Sequence, residues 1–197
     1  MNEAVKLLDK HGISGLTMRR LAEGLNVTAT ALYWHVRTKE DVLDLALDHI
    51  FGDVPLPEPT PDWRSDVHHL IRSWRAAMLQ HPWGPSLISR PMLGPCVLAR
   101  TEFLQSALAR GGLVGIGLTV ATRLLANYVI GSALTETTFQ QSADPQVRAD
   151  ARRHITMNPA AYPALNASGH LDTDRWNDDE LFDLGLDAIL AAVPGAT

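Results

Sequence analysis

The sequence has a single cysteine, Cys96, among its 197 residues. One cysteine excludes an intramolecular disulfide and a multi-cysteine metal site, and it is typical of proteins that work in a reducing cytoplasm. Strand patterns are also missing, because no run alternates apolar and polar residues between turn signals. We therefore predict an all-α protein without disulfides.

A signal peptide and a membrane span are not predicted either. The N-terminal segment is amphipathic and carries Glu3 and Asp9, which do not suit a signal peptide. The longest mainly apolar stretch, around 111–135, is interrupted by Arg123 and contains several glycines. We expect a soluble cytoplasmic protein with no membrane partner.

The eight histidines form no recognisable metal or catalytic motif. His68 and His69 are adjacent and point to different sides of a helix, and no His-Glu-x-x-His motif occurs. Nothing in the sequence places a base beside Cys96, and a small buried thiol is the commoner state of such a residue. The glycines of 111–117 lack the lysine of a phosphate loop, so helix termination and close packing explain them better. We predict no catalytic residue, no metal and no cofactor.

The segment 16–41 predicts two short helices, a tight turn between them, and the start of a third helix. Thr17 and Thr28 can cap the two short helices through their hydroxyl oxygens. Asn26, between them, tolerates the left-handed conformation that ends a helix. The apolar residues predicted to face the core are Leu21, Ala22, Leu25, Val27, Leu32 and Val36.

The outward face of the second short helix carries three large rings, Tyr33, Trp34 and His35. The cations that flank them are Arg19, Arg20, Arg37 and Lys39. Two short helices joined in this way describe a helix-turn-helix, whose second helix enters the DNA major groove. Rings and hydroxyls framed by cations suit phosphates and base edges. The alternative is a small three-helix core in which Tyr33 and Trp34 simply pack.

Charge does not make this segment a basic domain. The net charge of the chain is −5, and residues 1–50 carry six basic and seven acidic residues. Phosphate contacts would depend on the local cluster at 19, 20, 37 and 39. Non-specific DNA affinity should then be weak and strongly salt-dependent.

The run GLTMRRLAEGLNVTATALYWHVRTKEDVL, at 15–43, resembles the DNA-binding domain of the tetracycline-repressor (TetR) family. The LYWHVxxK core at 32–39 is especially similar to the tetracycline repressors, and the resemblance covers 4–50. In similar proteins the first helix is longer and follows a basic arm, so this sequence starts late relative to them. The resemblance implies a ligand-responsive repressor that binds a palindromic double-stranded DNA operator.

The same resemblance implies roles for individual side chains. Thr17 would contact a phosphate, and Arg19 would read a guanine, as an arginine does there in the resembling repressors. The other residues expected to contact DNA are Thr28, Thr30, Tyr33, Trp34, His35 and Lys39. Ala29 stands where those repressors carry a base-reading glutamine, so this operator should differ from theirs.

Four prolines between 55 and 61 predict a boundary between a DNA-binding domain, 1–50, and a C-terminal domain, 62–195. A Pro-rich partner motif is the competing interpretation. The predicted helices outside the helix-turn-helix are 2–11, 39–51 (opened by a capping box of Thr38 and Asp41), 62–80, 95–110, 113–139, 146–154 and 178–193. The segment 157–169 is predicted as loop with at most one short turn. The helix 113–139 is apolar on nearly all sides, which predicts burial on most sides.

The C-terminal part, with HPW at 81–83, RPMLGP at 90–95 and FDLGLDAIL at 182–190, resembles the ligand-binding and dimerisation domain of tetracycline repressors. We expect a pocket walled by helix 62–80, the RPMLGP segment and helix 113–139. The resemblance places five residues near the inducer: Leu70, Trp74, Arg90, Pro91 and Asn127. The metal-binding His and Glu of those repressors would fall near Ser86 and Thr135. We therefore expect a small, largely apolar or aromatic inducer rather than a magnesium–tetracycline chelate.

A homodimer is expected, because one helix-turn-helix makes too few contacts and twofold partners read a palindrome. Helices 113–139 and 178–193 would form a four-helix interface. Its small residues are Gly117, Ala121, Gly131, Ala133, Gly185 and Ala188. Helix 39–51 would transmit ligand binding to the DNA-reading helices. The alternative function is an enzyme, or a helical ligand-binding protein, with an incidental N-terminal domain; the sequence does not separate a repressor from an activator.

Overall fold

The computed structural model describes residues 1–87, 90, 92–142, 144 and 146–192. Within these residues every regular element is helical, as predicted. The α-helices are Asn2–Gly15 (α1), Met18–Gly24 (α2), Ala29–Tyr33 (α3), Lys39–Gly52 (α4), Trp63–Gln80 (α5), Pro95–Arg110 (α6), Gly115–Gln140 (α7), Val147–Met157 (α8), Pro163–Ser168 (α9) and Asp178–Ala192 (α10), and a 3-10 helix spans Pro85–Leu87.

The first four helices pack around a small core. α1 contacts α2 and α4, and α2 contacts α3. The buried side chains include Leu8, Leu16, Leu21, Leu32, Val36 and Leu43. α1 is longer than predicted, because the chain bends at Gly12 with φ 65° and then adds a turn that ends at Gly15. Gly12 has no Cβ to oppose this conformation, so the bend costs little steric strain.

The turn between α2 and α3 depends on Asn26. Its φ of 54° confirms the predicted left-handed conformation, and the N–H of Val27 donates to the Ala22 carbonyl at 3.0 Å. The prediction that Leu25 and Val27 face the core is wrong, since both side chains are exposed. α2 ends one residue before Leu25, so the turn carries both side chains beyond the packed face of the helix.

The larger part of the molecule is organised around α5. This helix packs against α6 and α7, and α7 packs against α6 and α10. The Trp74 ring on α5 meets Phe51 of α4 edge-on, with 5.8 Å between ring centroids, so the core continues from α4 into α5. Gly111 lies under the Trp63 ring, where a Cβ would come within 2.5 Å of Cε2. This contact confirms close packing at Gly111, whereas a Cβ at Gly115 or Gly117 would meet nothing within 4 Å.

The prediction that the long apolar helix is buried on most sides is wrong for the single chain. On α7, Leu125, Val129 and Ala133 face the core of the protein. On the same helix, Ile116 is 80% and Leu124 50% exposed. By length and composition α7 could cross a membrane. One of its faces nevertheless packs on α5, α6 and α10. α7 thus carries large apolar side chains that remain exposed in a single copy of the chain.

The region after α7 also differs from the prediction. α8 continues to Met157, and α9, Pro163–Ser168, forms where a loop was expected. Pro163 is at a helix start, where its missing N–H has no consequence. Gly169 ends α9 with φ 69°, which is the left-handed conformation common at helix ends.

Candidate nucleic-acid interface and ligand cavity

Two threonines fix where the short helices begin. The Thr17 hydroxyl accepts the N–H of Arg20 at 3.2 Å, and the Thr28 hydroxyl accepts the N–H of Ala31 at 3.2 Å. Each satisfies a backbone donor that the first helical turn leaves unpaired, as predicted. The caps keep both hydroxyls at the helix starts, on the exposed side of the helix pair.

The outward face of α3 presents rings to solvent. Trp34 is 85% and Tyr33 49% exposed, and His35 and Thr30 are also exposed. Leu32 and Val36 occupy the buried face, as predicted. The alternative in which both rings pack in a core is thus wrong for Trp34. Trp34 and Tyr33 are adjacent, so they expose apolar surface together, and exposed apolar patches rather than single residues mark interaction sites.

The two cations with predicted DNA roles have partners within the chain. Arg19 is exposed, and its Nε donates to the Glu23 carboxylate at 2.8 Å. That hydrogen bond raises the pKa of the guanidinium. Lys39 is half-buried, and its Nζ donates to the Ile13 carbonyl at 2.6 Å. This bond uses one of the three donors of the ammonium group, so the same lysine can also contact a phosphate.

The predicted capping box at the start of α4 is confirmed. The Thr38 hydroxyl accepts the N–H of Asp41 at 3.0 Å, and the Asp41 carboxylate accepts the N–H groups of Thr38 and Arg37 at 3.0 Å. These bonds, chiefly the one from the Thr38 backbone, lower the pKa of Asp41. The box fixes the direction in which the chain leaves the Trp34 face.

α4 and α6 cap each other. The Asp48 carboxylate of α4 accepts the N–H of Cys96 at 3.2 Å and that of Val97 at 3.0 Å, in the first turn of α6. In return the buried Arg100 of α6 donates to the Val54 carbonyl beyond the end of α4 at 2.5 and 3.1 Å. α6 has no side-chain cap of its own. The two helices are therefore joined by charge-assisted hydrogen bonds in both directions, one set donated by each side of the contact.

Arg90 strengthens the same contact. Its guanidinium donates to the Asp44 carboxylate at 2.5 and 3.0 Å and to the Glu40 carbonyl at 3.0 Å. The hydrogen bond with Asp44 raises the pKa of Arg90 above its ordinary value. Arg90 thus contacts α4, whereas the resemblance placed it beside the inducer. Pro91 lies outside the described residues.

A cavity of about 650 Å³ lies in the C-terminal part of the chain. Its lining comes from α5, α7, α8, α10 and the segment before α10: Arg75, Asn127, Tyr128, Gly131, Ser132, Thr135, Glu136, Phe139, Arg148, His170, Leu171, Asp178, Leu181 and Phe182. Asn127 is at the wall, as the resemblance implies, and so is Thr135. Leu70 and Trp74 are buried in the core and do not line this cavity, nor does any described residue of the RPMLGP segment.

Arg75 is the charged centre of this cavity. It is buried, and it donates to the Glu136 carboxylate and to the Asp179 carboxylate, each at 2.6 Å. Its guanidinium lies 4.8 Å from the centre of the Phe182 ring. Burial alone would lower the pKa of Arg75, but the hydrogen bonds to the two carboxylates outweigh it and raise the pKa.

The burial of Arg75 could have been predicted from its position on α5, although its neighbours on the helix are mainly apolar. Arg75 follows Ile71 by four residues on α5, so it lies on the buried face of an amphipathic helix. A charge at such a position needs partners, and those partners are distant in sequence. The rings of Tyr128 and Phe182 stack with their centroids 5.1 Å apart. No feature of the sequence predicted that these two rings would meet.

α7 and α10 form an apolar groove on the surface. It is lined by Leu113, Gly117, Val120, Ala121, Leu124, Ala188, Ile189 and Ala192. Gly117 and Gly131 have open space where a Cβ would be. A Cβ at Gly185 would meet the Tyr128 hydroxyl of the same molecule, so this glycine serves packing within the chain. The close approach of two copies stays a prediction.

Comparisons with known proteins agree with this geometry. Residues 1–46 match the family model for bacterial regulatory proteins of the tetR family, and 55–194 match the tetracyclin repressor-like C-terminal domain. An HTH-type transcriptional regulator of Saccharopolyspora erythraea is 41% identical over 98% of this chain and 82% of its own.

Two solved structures extend the likeness to the fold. The Streptomyces coelicolor TetR family protein ActR, in complex with actinorhodin, has a TM-score of 0.84 at 29% identity and covers 96% of this chain and 92% of its own. BioQ with its natural double-stranded DNA operator has a TM-score of 0.62 at 34% identity over 71% of this chain and 86% of its own. With its exposed helix-turn-helix and matching C-terminal domain, the chain belongs to the TetR family of bacterial regulatory proteins.

Proposed function

We propose that this protein is a cytoplasmic, non-enzymatic transcriptional repressor that binds a palindromic operator as a homodimer and leaves it when a small molecule binds. Residues 1–50 would read DNA, and 62–195 would bind the inducer and the second copy. The relatives support this assignment: one is named a transcriptional repressor, and the solved neighbours include a complex with a small molecule and one with an operator.

The observation that carries the proposal is the exposure of the Trp34 ring at the end of α3, at 85%. Burying this ring against another protein element would stabilise the free chain, yet Leu32 and Val36 alone form the packed face. Around this ring we propose that DNA is contacted by Thr17, Thr28, Thr30, Tyr33 and His35. Arg19 would read a base once its hydrogen bond to Glu23 is broken. Lys39 would bind a phosphate.

The α7–α10 groove supports the homodimer. Val120 and Leu124 expose large apolar side chains next to Gly117, on a helix whose other face is core. A second copy that adds its own α7 and α10 would remove these side chains from water, which is worth roughly 25 cal/mol per Å² of apolar surface. Twofold symmetry would then present two copies of α3 to a palindrome.

The joined pair α4 and α6 supports the release mechanism. A ligand that shifts α7 would also move α6, which packs on it. α6 would then carry α4 with it, since Asp48 and Arg100 hold these two helices together. α4 begins directly after the Trp34 face, so its displacement changes the spacing of the two reading helices in the dimer. The ligand therefore has to bind better to the arrangement that does not fit DNA.

Selection of bound sequences from a random DNA pool tests the function. We expect enrichment of one palindrome by the purified full chain, and a compound screen on that palindrome should then yield a molecule that releases it. Recovery of no preferred sequence at low salt would contradict DNA reading. A preferred sequence without twofold symmetry would contradict the homodimer.

A further inference from the structure

The cavity between α5, α7, α8 and α10 contains two arginines, each paired with an α10 carboxylate that is more exposed than the arginine itself. The Arg75 side chain is 9% exposed, whereas its partner Asp179 is 82% exposed. Arg148 is 26% exposed and its partner Asp178 45%. The two arginines are thus fixed parts of the wall, and Asp178 and Asp179 are the exchangeable partners.

Both arginines also retain hydrogen-bonding capacity. The guanidinium of Arg148 reaches the Asp178 carboxylate through two bonds of 3.4 Å, which are long for charged partners. The buried Nε of Arg148 and that of Arg75 have no acceptor within the described part of the chain. Buried N–H donors normally find acceptors, so this wall favours a ligand that brings oxygen acceptors.

The remainder of the wall is suited to a flat apolar body. Leu171 and Leu181 line the cavity, and so do two phenylalanines that lie under the guanidinium groups. The Arg75 guanidinium carbon lies 4.8 Å from the Phe182 ring centre, and that of Arg148 lies 5.2 Å from Phe139. A volume of about 650 Å³ is in the range of pockets that hold small molecules.

A cationic ligand fits less well. Glu136, the carboxylate within the wall that is least exposed, already pairs with Arg75 at 2.6 Å. Asp178 and Asp179 are in the first turn of α10, where the helix N-terminus stabilises negative charge. Moving these two carboxylates into water therefore costs little free energy. Leaving either arginine without an anion costs much more.

We propose, resting on the function proposed above, that this cavity selects a ligand with an aromatic body and an acidic group, and that the acidic group replaces Asp178 or Asp179 on Arg148 or Arg75. The exchange releases the first turn of α10 from α5 and α8. Because α10 lines the apolar α7–α10 groove, the ligand would act on the same helix that forms the dimer contact.

Matched acid and amide pairs test the selection on the full chain without DNA. We would measure binding of anthraquinone-2-carboxylate and its carboxamide, 2-naphthoate and its carboxamide, and 2-naphthylmethylamine by isothermal titration calorimetry at fixed ionic strength. The acids should bind at least about tenfold more tightly than their amides, a difference of about 1.4 kcal/mol. At least one of Arg148→Gln and Arg75→Gln should remove this preference, and Arg153→Gln, on α8 but outside this cavity, should keep it.

A second variant tests the exchange without weakening the wall. Asp178→Asn removes the internal competitor, so acid binding should tighten several-fold while amide binding stays unchanged. Equal or tighter binding of amides or of the amine would overturn the proposal, and so would an acid preference that persists in Arg148→Gln and Arg75→Gln. Failure of every acid to bind at 1 mM would also overturn it. DNA selection with the same protein separates these outcomes, since it fails only if the proposed function is wrong.

Discussion

The Asp48 carboxylate on α4 accepts the backbone N–H of Val97 at 3.0 Å, at the start of α6. The N-cap position of α6 is Gly94, which offers no side chain. A helix that would otherwise leave its first N–H groups unpaired is thus completed by a residue 49 positions earlier. In this way α4, which follows α3, is joined to the helices of the C-terminal part of the chain.

Asp48→Ala should loosen this joint. Loss of a helix cap costs about 0.5–2 kcal/mol in free energy of unfolding. We expect that loss in urea denaturation, together with faster amide hydrogen exchange in the first turn of α6. Asp53→Ala, at the exposed end of α4, is the matched control and should change neither. Unchanged exchange at Cys96 and Val97 in Asp48→Ala would mean that the joint does not depend on this carboxylate.

Leu124→Glu should produce a monomer. Leu124 is 50% exposed in the α7–α10 groove, so a glutamate there is tolerated by the single chain but not inside an apolar interface. Sedimentation should show the wild type as a dimer at micromolar concentration and the variant as a monomer with weaker operator binding. Leu98→Glu, at 51% exposure on α6, should remain dimeric. A monomeric wild type that still binds its operator would refute the interface.

Lys39→Ala should weaken binding to all DNA sequences alike. Without the lysine, each half-site has one phosphate fewer neutralised by the protein, and binding releases fewer counterions. The slope of log affinity against log salt should therefore flatten by about one unit per missing phosphate contact. Fluorescence anisotropy with the selected operator and with a scrambled sequence measures both slopes. Arg153→Ala, on α8, is the charge-matched control. Loss of discrimination at one base pair with an intact slope would assign Lys39 to base reading instead.

Asp66 should contribute to the acid stability of the protein. Burial raises its pKa, but hydrogen bonds from Thr60, at 2.9 and 2.8 Å, and the charge of Arg110 outweigh burial and lower it. Because the pKa of Asp66 is lower in the folded state, this residue stabilises the fold at pH values above its ordinary pKa of about 3.9. That contribution is lost as the pH falls through the lowered pKa.

Denaturation of wild type and Asp66→Asn between pH 7 and pH 3 checks this linkage. At pH 7 the variant should be less stable by about 1–3 kcal/mol, because the hydrogen bonds of a buried group are weakened. The difference should shrink as the pH falls toward 3. Asp150→Asn, at an exposed carboxylate, should follow the wild type. A difference that stays constant with pH would contradict the lowered pKa.

Local chemistry made the N-terminal part predictable. Thr17, Thr28 and Asn26 act on backbone groups within a few residues of themselves, so their roles follow from position in the sequence. Leu25 and Val27 were wrongly predicted for the complementary reason. Their burial depends on which neighbouring helix covers the end of α2, and helical periodicity contains no information about that.

The cavity was less predictable because its walls come from distant segments. Asn127 could be placed by resemblance, but the pairing of Arg75 with Glu136 and Asp179 joins residues 61 and 104 positions apart. The resemblance placed Trp74 near the inducer, yet the structure packs this buried ring against Phe51 of α4 rather than on the cavity wall. Which interior a buried ring joins is decided by helix packing, not by its own helix.

The affinity of wild type and Trp34→Ala for the selected palindrome tests the central claim most directly. Trp34 is 85% exposed, so its removal should leave the free energy of unfolding within about 0.5 kcal/mol. If α3 reads DNA, operator affinity should fall by about tenfold or more, which is at least about 1.4 kcal/mol. A variant that is folded and binds the palindrome as tightly as the wild type would contradict DNA reading by this face.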